Sequence, residues 1–200
     1  MQKQQVVVIG GGETFASYEA FLEYLRTVPL EPFREWPDDW KKNLEEDLGK
    51  RYVVIRPTMP NKFNAKYEEW RIWFERHLPF IEDGVVLVGH SLGGVFLAKY
   101  LSENDFPKKI HATHLVAAPF GDKDDEYHMD TFALPNTLSR FSEQAGRITI
   151  YHSKDDPVVP YADAEDYTAA LPDTELVALT GRGHIRDEHF PELTSRIVAK

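Results

Sequence analysis

Two hundred residues, 42% of them hydrophobic, can bury one full α/β core and are too few for two comfortable ones, so residues 1–200 are expected to form a single domain. A formal charge of −10 with no Lys/Arg cluster excludes nucleic acid and anionic membrane surfaces as partners, and zero cysteines exclude disulfides and thiolate metal sites. The first residues, MQKQQVVVIGGG, hold too short an apolar run for a signal-peptide core, and no segment approaches the ~20 apolar residues of a membrane span, which leads us to expect a soluble, cytoplasmic protein.

Along the chain, six short β-rich runs alternate with helical patterns: QVVVI (5–9), YVVIR (52–56), VVLVG (85–89), ATHLVAA (112–118), RITIYHS (147–153) and TELVALT (174–180). Alternation of this kind predicts a parallel sheet with crossover helices. The first run ends in Gly10-Gly11-Gly12-Glu13-Thr14, backbone able to approach a ligand closely. Gly10-x-Gly12 begins a dinucleotide fingerprint, but Phe15 stands where the third glycine belongs and no acid ends a second strand at the right distance. No Gly-Lys-Ser/Thr follows to make a phosphate-binding loop. Helical spacing covers 15–28, and the acidic, proline-bearing stretch 29–50 reads as a loop plus one surface helix, WKKNLEEDL, with its charges on a solvated face. Helical spacing recurs at 64–78, with Tyr67, Trp70, Phe74 and Leu78 on one side, and at 161–171 and 189–199.

The third run opens into Gly89-His90-Ser91-Leu92-Gly93 and then a helix. A serine at a sharp strand-to-helix turn takes a strained conformation that survives only where its neighbours across the bend lack side chains, as Gly89 and Gly93 do. The strain presents the hydroxyl, and the Leu92 N–H at the positive end of the helix points where an oxyanion would develop. The competing reading is a glycine-rich turn in which Ser91 only caps the helix.

A serine nucleophile needs a base and a carboxylate that fixes the base's tautomer. The fifth run exits into KDDPVVP and the sixth into GRGHIRD, on the same sheet edge as Ser91. Asp156 precedes Pro157, in an extended and rigid loop able to aim a carboxylate, whereas Asp155 is better placed to cap a turn. Among eight histidines, His184 follows Gly183 directly after a strand exit; His189 is its rival, and His90 is expected to pack. The order Ser91, Asp156, His184 is that of α/β-hydrolases. Gly12 is the expected second oxyanion donor, with Glu13 next.

On GGGETF, VGHSLGG, LVAAP, HSKDDPVVP and GRGHI, the chain resembles the small α/β-hydrolases of the retinoblastoma-binding protein 9-like (YdeN-like) family over most of its length. The resemblance implies a six-stranded parallel sheet of order 2-1-3-4-5-6 in an αβα sandwich without a large cap domain, with Ser91 as nucleophile, Asp156 as orienting acid and His184 as base. The chain departs from that pattern in the longer, more charged stretch 29–50 and in Glu13-Thr14, where a further glycine is common.

The expected activity is hydrolysis of an ester or amide of a small molecule through an acyl-enzyme, in the manner of a carboxylesterase. No metal or organic cofactor is called for, since the histidines lack ligand spacing. After the fourth strand run, Phe120, Met129 and Phe132 are candidate walls of an acyl pocket, with ordinary loop packing as the competing reading, and Glu13 is a further pocket candidate. Glu13 and the acidic run from Asp122 to Glu126 would favour neutral or cationic substrates. The alternatives are a hydrolase-fold binding module with an idle triad, and a transferase or lyase on the same fold.

Overall fold

The computed structural model describes residues 3–33, 38–122 and 128–199. Six strands, β1 (Gln4–Ile9), β2 (Tyr52–Ile55), β3 (Val85–His90), β4 (Ile110–Val116), β5 (Arg147–Ser153) and β6 (Glu175–Leu179), form one sheet of order β2-β1-β3-β4-β5-β6. Every neighbouring pair is parallel. A parallel sheet covered on both faces needs strands that are apolar throughout rather than alternating, and β3 is buried at all six positions. Its alternate side chains serve two separate cores. Val85 and Leu87 join Val7, Ile9, Trp70 and Phe96 on one face, while Val86 and Val88 join Val6, Val8, Trp40 and Leu44 on the other.

Seven helices are described: α1 (Tyr18–Thr27), α2 (Trp40–Leu48), α3 (Tyr67–Glu75), α4 (Leu92–Glu103), α5 (Ser139–Gln144), α6 (Tyr161–Ala170) and α7 (Pro191–Val198). Residues of α3, α4, α5 and α6 pack the first core, and those of α2 and α7 the second. This is a three-layer αβα sandwich. The aromatic stripe of α3 closes on Phe96 of α4, with Trp70 and Phe74 meeting that ring edge-on at 5.7 and 5.3 Å. Among the described residues, α1 alone of the helices buries none of its side chains, although Ser17 caps it by accepting from the Ala20 N–H at 3.1 Å.

Two elements differ from the sequence-based expectations. The stretch around 40–48 is no mere surface helix, because Trp40, Leu44 and Leu48 recur every four residues and are buried to 0%, 0% and 6% exposure. Five charged residues in nine hide this stripe from a composition count. The short helix α5 carried no recognisable periodicity and was not anticipated.

The strand order reverses direction at β1, whose two neighbours are β2 and β3. At such a switch point the loops leaving the carboxyl ends of β1 and β3 diverge and open a crevice. Those loops are the triple glycine and the Ser91 turn. No helix among the described residues is long and apolar enough to cross a membrane.

Candidate active site

Ser91 has φ 55° and ψ −129°, a conformation that side chains rarely adopt. Steric necessity at its neighbours holds it there. A Cβ on Gly89 would lie 2.5 Å from the Gly93 carbonyl oxygen, and one on Gly93 would lie 2.2 Å from the Ile9 carbonyl oxygen. The turn is tied into the sheet by the Ser91 N–H, which donates to Val116 O at 2.8 Å. Ser91 makes no capping hydrogen bond with its side chain, so the capping role does not account for it. The residue is half-buried, and the Leu92 N–H at the first turn of α4 has no carbonyl partner within the helix.

Asp156 and His184 meet. The His184 Nδ1 lies 2.8 Å from Asp156 Oδ2 and 3.1 Å from Oδ1. A carboxylate can only accept, so Nδ1 carries the proton and Nε2 is left with its lone pair free to accept one. The Asp156 carboxyl has no exposed side-chain surface. Burial pushes its pKa up, but the His184 N–H, the charge of a protonated His184 and the N–H groups of Val158 and Val159 outweigh burial and hold it below the usual carboxylate value. Those two amides donate to Oδ1 at 2.8 and 3.1 Å. Behind it, the buried His152 donates from Nε2 to Val159 O at 2.9 Å and approaches Asp156 Oδ2 at 3.6 Å.

Asp155 has a different task. Its Oδ1 accepts from the Gly181 N–H at 2.7 Å and its Oδ2 from the Gly183 N–H at 3.3 Å, tying the β5 exit to the turn that carries His184. That turn is tightly wound: Gly181, Gly183 and Ile185 all have positive φ, at 73°, 48° and 49°. His90 and Trp40 reach it from behind. His90 Nε2 is 2.9 Å from His184 O, and Trp40 Nε1 donates to Ile185 O at 2.9 Å. His189, the rival base, is exposed and pairs with Asp47 at 3.0 Å.

In the triple-glycine loop, the residue against the nucleophile is Gly11, where a Cβ would lie 3.0 Å from Ser91 Cβ and 3.4 Å from its Oγ. A Cβ on Gly12 would face Lys62 O and Trp70 instead. The sequence offered no reason to separate three consecutive glycines; only their alternating direction along an extended loop does so. The Glu13 N–H is committed to Lys62 O at 2.7 Å and cannot serve an oxyanion.

The pocket candidates separate by burial. Met129 and Phe132 are 0% exposed and packed into the first core, Phe132 edge-on to Trp70 at 5.2 Å, so neither offers surface to a ligand in this structure. Phe120 is half-buried against Tyr167 at 4.9 Å, and its N–H donates to Asp163 Oδ2 at 3.1 Å. Glu13 is exposed. Of the acidic run, Asp122 bonds the Met129 N–H and residues 123–127 lie outside those described. Positive charge also acts here, since Lys41 and Arg186 both lower the pKa of His90, the residue before Ser91.

The profile of a family described as Serine hydrolase matches residues 34–193, a span that includes Ser91, Asp156 and His184. The Bacillus subtilis protein YdeN is 26% identical over 141 residues, covering 68% of this chain and 72% of its own length. The solved structure of the B. subtilis ydeN gene product superposes with a TM-score of 0.72 at 19% identity, covering 98% of this chain and 97% of that one. A YdeN-like protein from Pectobacterium atrosepticum gives 0.66 at 18% identity, covering 98% and 89%.

Proposed function

The chain belongs to the serine hydrolase family, and from that premise we propose that it hydrolyses a carboxylic ester of a small molecule through an acyl-enzyme formed on Ser91. The carrying observation is the buried Asp156–His184 pair at 2.8 Å, joined through His90, whose Nε2 is 2.9 Å from His184 O, to the next residue, the strained Ser91, whose hydroxyl caps nothing. In this reading His184 Nε2 takes the Ser91 proton as Oγ bonds to the substrate carbonyl carbon, and the carbonyl π electrons move onto oxygen. The N–H of Leu92 and one from Gly11-Gly12 receive that oxyanion. Collapse breaks the bond to the leaving alkoxide, which takes the proton from His184. Water then repeats the sequence on the acyl-enzyme, releasing the acid and restoring Ser91.

Esters are favoured over amides because an alkoxide is the better leaving group and needs less assistance from the acid. The substrate lies on the sheet edge above β1 and β3, with Phe120 and Glu13 as the pocket residues that retain surface. The absence of cysteine agrees with work in the cytoplasm. A panel of p-nitrophenyl esters graded by acyl length, with matched anilides, tests the reading. Turnover of esters with a pre-steady-state burst stoichiometric with enzyme is expected. No turnover of any ester by folded protein would contradict it and favour a binding role.

A further inference from the structure

We propose that Trp40 and His90 are positioning residues that hold the His184 turn in its working shape by donating ring N–H bonds to two successive carbonyls. The inference rests on reading Ser91, Asp156 and His184 as the catalytic set.

The turn needs holding. Ile185 is β-branched and sits at φ 49°, a left-handed conformation that strains an L-residue with a branched Cβ. Its own side chain does not relieve this, yet it is 0% exposed within the core that contains Trp40 and Phe190. The peptide groups on either side of Ile185 each have a carbonyl pinned at 2.9 Å, His184 O by His90 Nε2 and Ile185 O by Trp40 Nε1. Rotation about Ile185 would break one bond or both. Both donors are shielded from water, Trp40 at 0% and His90 at 3% exposure, so solvent does not replace either bond once it is broken. The rings brace each other as well: Trp40 stands edge-on to His90 at 5.9 Å and to Phe190 at 5.6 Å, and His90 lies 4.9 Å from the His184 ring.

A carbonyl can only accept, so His90 bears its proton on Nε2. Burial, with Lys41, His184 and Arg186 nearby, keeps it well below an ordinary histidine pKa and hence a neutral donor at neutral pH. The rest of α2 continues the grip, with the Trp40 N–H on Asp187 O at 2.7 Å and Asn43 Nδ2 on Glu188 O at 3.1 Å. His90 is also the residue before Ser91. The same elbow that presents the nucleophile therefore fixes the backbone of the base, and α2 closes the arrangement from a segment more than 140 positions away in sequence.

The test compares Trp40→Phe, which keeps an aromatic side chain and removes the indole N–H, with His90→Leu and with His90→Gln, which restores a donor near the place of Nε2. Steady-state ester hydrolysis, the low-field proton signal of His184 Nδ1 and thermal unfolding are followed in each, beside Ser91→Ala. We expect kcat to fall on the order of 10- to 100-fold in Trp40→Phe and His90→Leu with KM little changed. The low-field signal should broaden or vanish in both, and His90→Gln should recover most of kcat. Wild-type kcat in folded Trp40→Phe and His90→Leu would overturn the proposal, as would a loss confined to thermal stability. Should Trp40→Phe fail to fold, the Leu and Gln pair at position 90 decides. Full activity in Ser91→Ala would instead overturn the catalytic reading on which the proposal rests, and so separates the two failures.

Discussion

Ser91 is held in place by what its neighbours lack. Because a Cβ at Gly89 or Gly93 would run into backbone rather than a movable side chain, Gly89→Ala and Gly93→Ala should each cost more than about 3 kcal/mol or abolish folding, read by urea denaturation. Gly11→Ala is a milder case, since the added methyl would press on the Ser91 side chain at 3.0 Å; the protein should fold and lose activity. At the acid, Asp156→Asn keeps the shape but offers an amide where His184 Nδ1–H needs an acceptor, and should lower kcat about 10³- to 10⁴-fold. Asp155→Asn weakens supports to the Ser153 hydroxyl and the Gly181 and Gly183 amides and touches no atom of His184, so its loss should be far smaller; comparison of the two kcat values checks the division of labour. That division was half legible in the sequence. Proline after Asp156 argued for an extended, aiming carboxylate, but nothing in a linear DD pair shows that its first member reaches across to another strand's exit. Which of three glycines touches Ser91 was not legible either, because it depends on the direction each α-carbon faces.

At the scale of elements, the sheet was readable because both of its faces are buried, and continuous apolar runs such as VVLV can hardly be anything else. Helix α2 was misjudged for the opposite reason. Its polar residues outnumber its apolar ones, and the stripe of Trp40, Leu44 and Leu48 has meaning only once α7 and the His184 turn lie beneath it. Leu44→Ala should therefore destabilise the protein by about 2–5 kcal/mol, as at a core position, and not by the few tenths expected of a surface helix. Helix α1 makes the contrasting case: it follows the glycine loop, buries none of its side chains and leaves Tyr18 and Leu25 62% and 49% exposed. Its amides should exchange with solvent faster than those of α2 and α4 in hydrogen-exchange measurements, and equal protection across the three helices would contradict this.

Across the whole molecule, the buried histidines set a pH dependence. His90 is held well below its ordinary pKa by burial first and by nearby positive charge second. His114, buried and near Arg147 and Arg196, is pushed down to about 3. Between pH 6 and 5 both are protonated in the unfolded chain and neutral in the folded one, so the unfolded state binds more protons and stability must fall as pH falls. Two such groups give a slope of at most about 2.7 kcal/mol per pH unit in that window. His189 runs the other way, its pKa raised by Asp47, but it is charged in both states below pH 6 and adds nothing to the slope there. Urea-derived stabilities at pH 7, 6 and 5 should show the decline, and a flat profile would contradict the neutral, buried state of His90 that the His184 turn depends on.

The central claim is that Ser91 is a nucleophile activated by His184 and Asp156. Intact-mass analysis after reaction with a fluorophosphonate measures it most directly, on the wild type, Ser91→Ala and His184→Ala proteins, each shown to be folded by circular dichroism. One adduct per chain, mapped to Ser91 and absent from both variants, is the predicted result. A folded wild-type protein that takes up no adduct, or an adduct that persists in Ser91→Ala, would contradict the account.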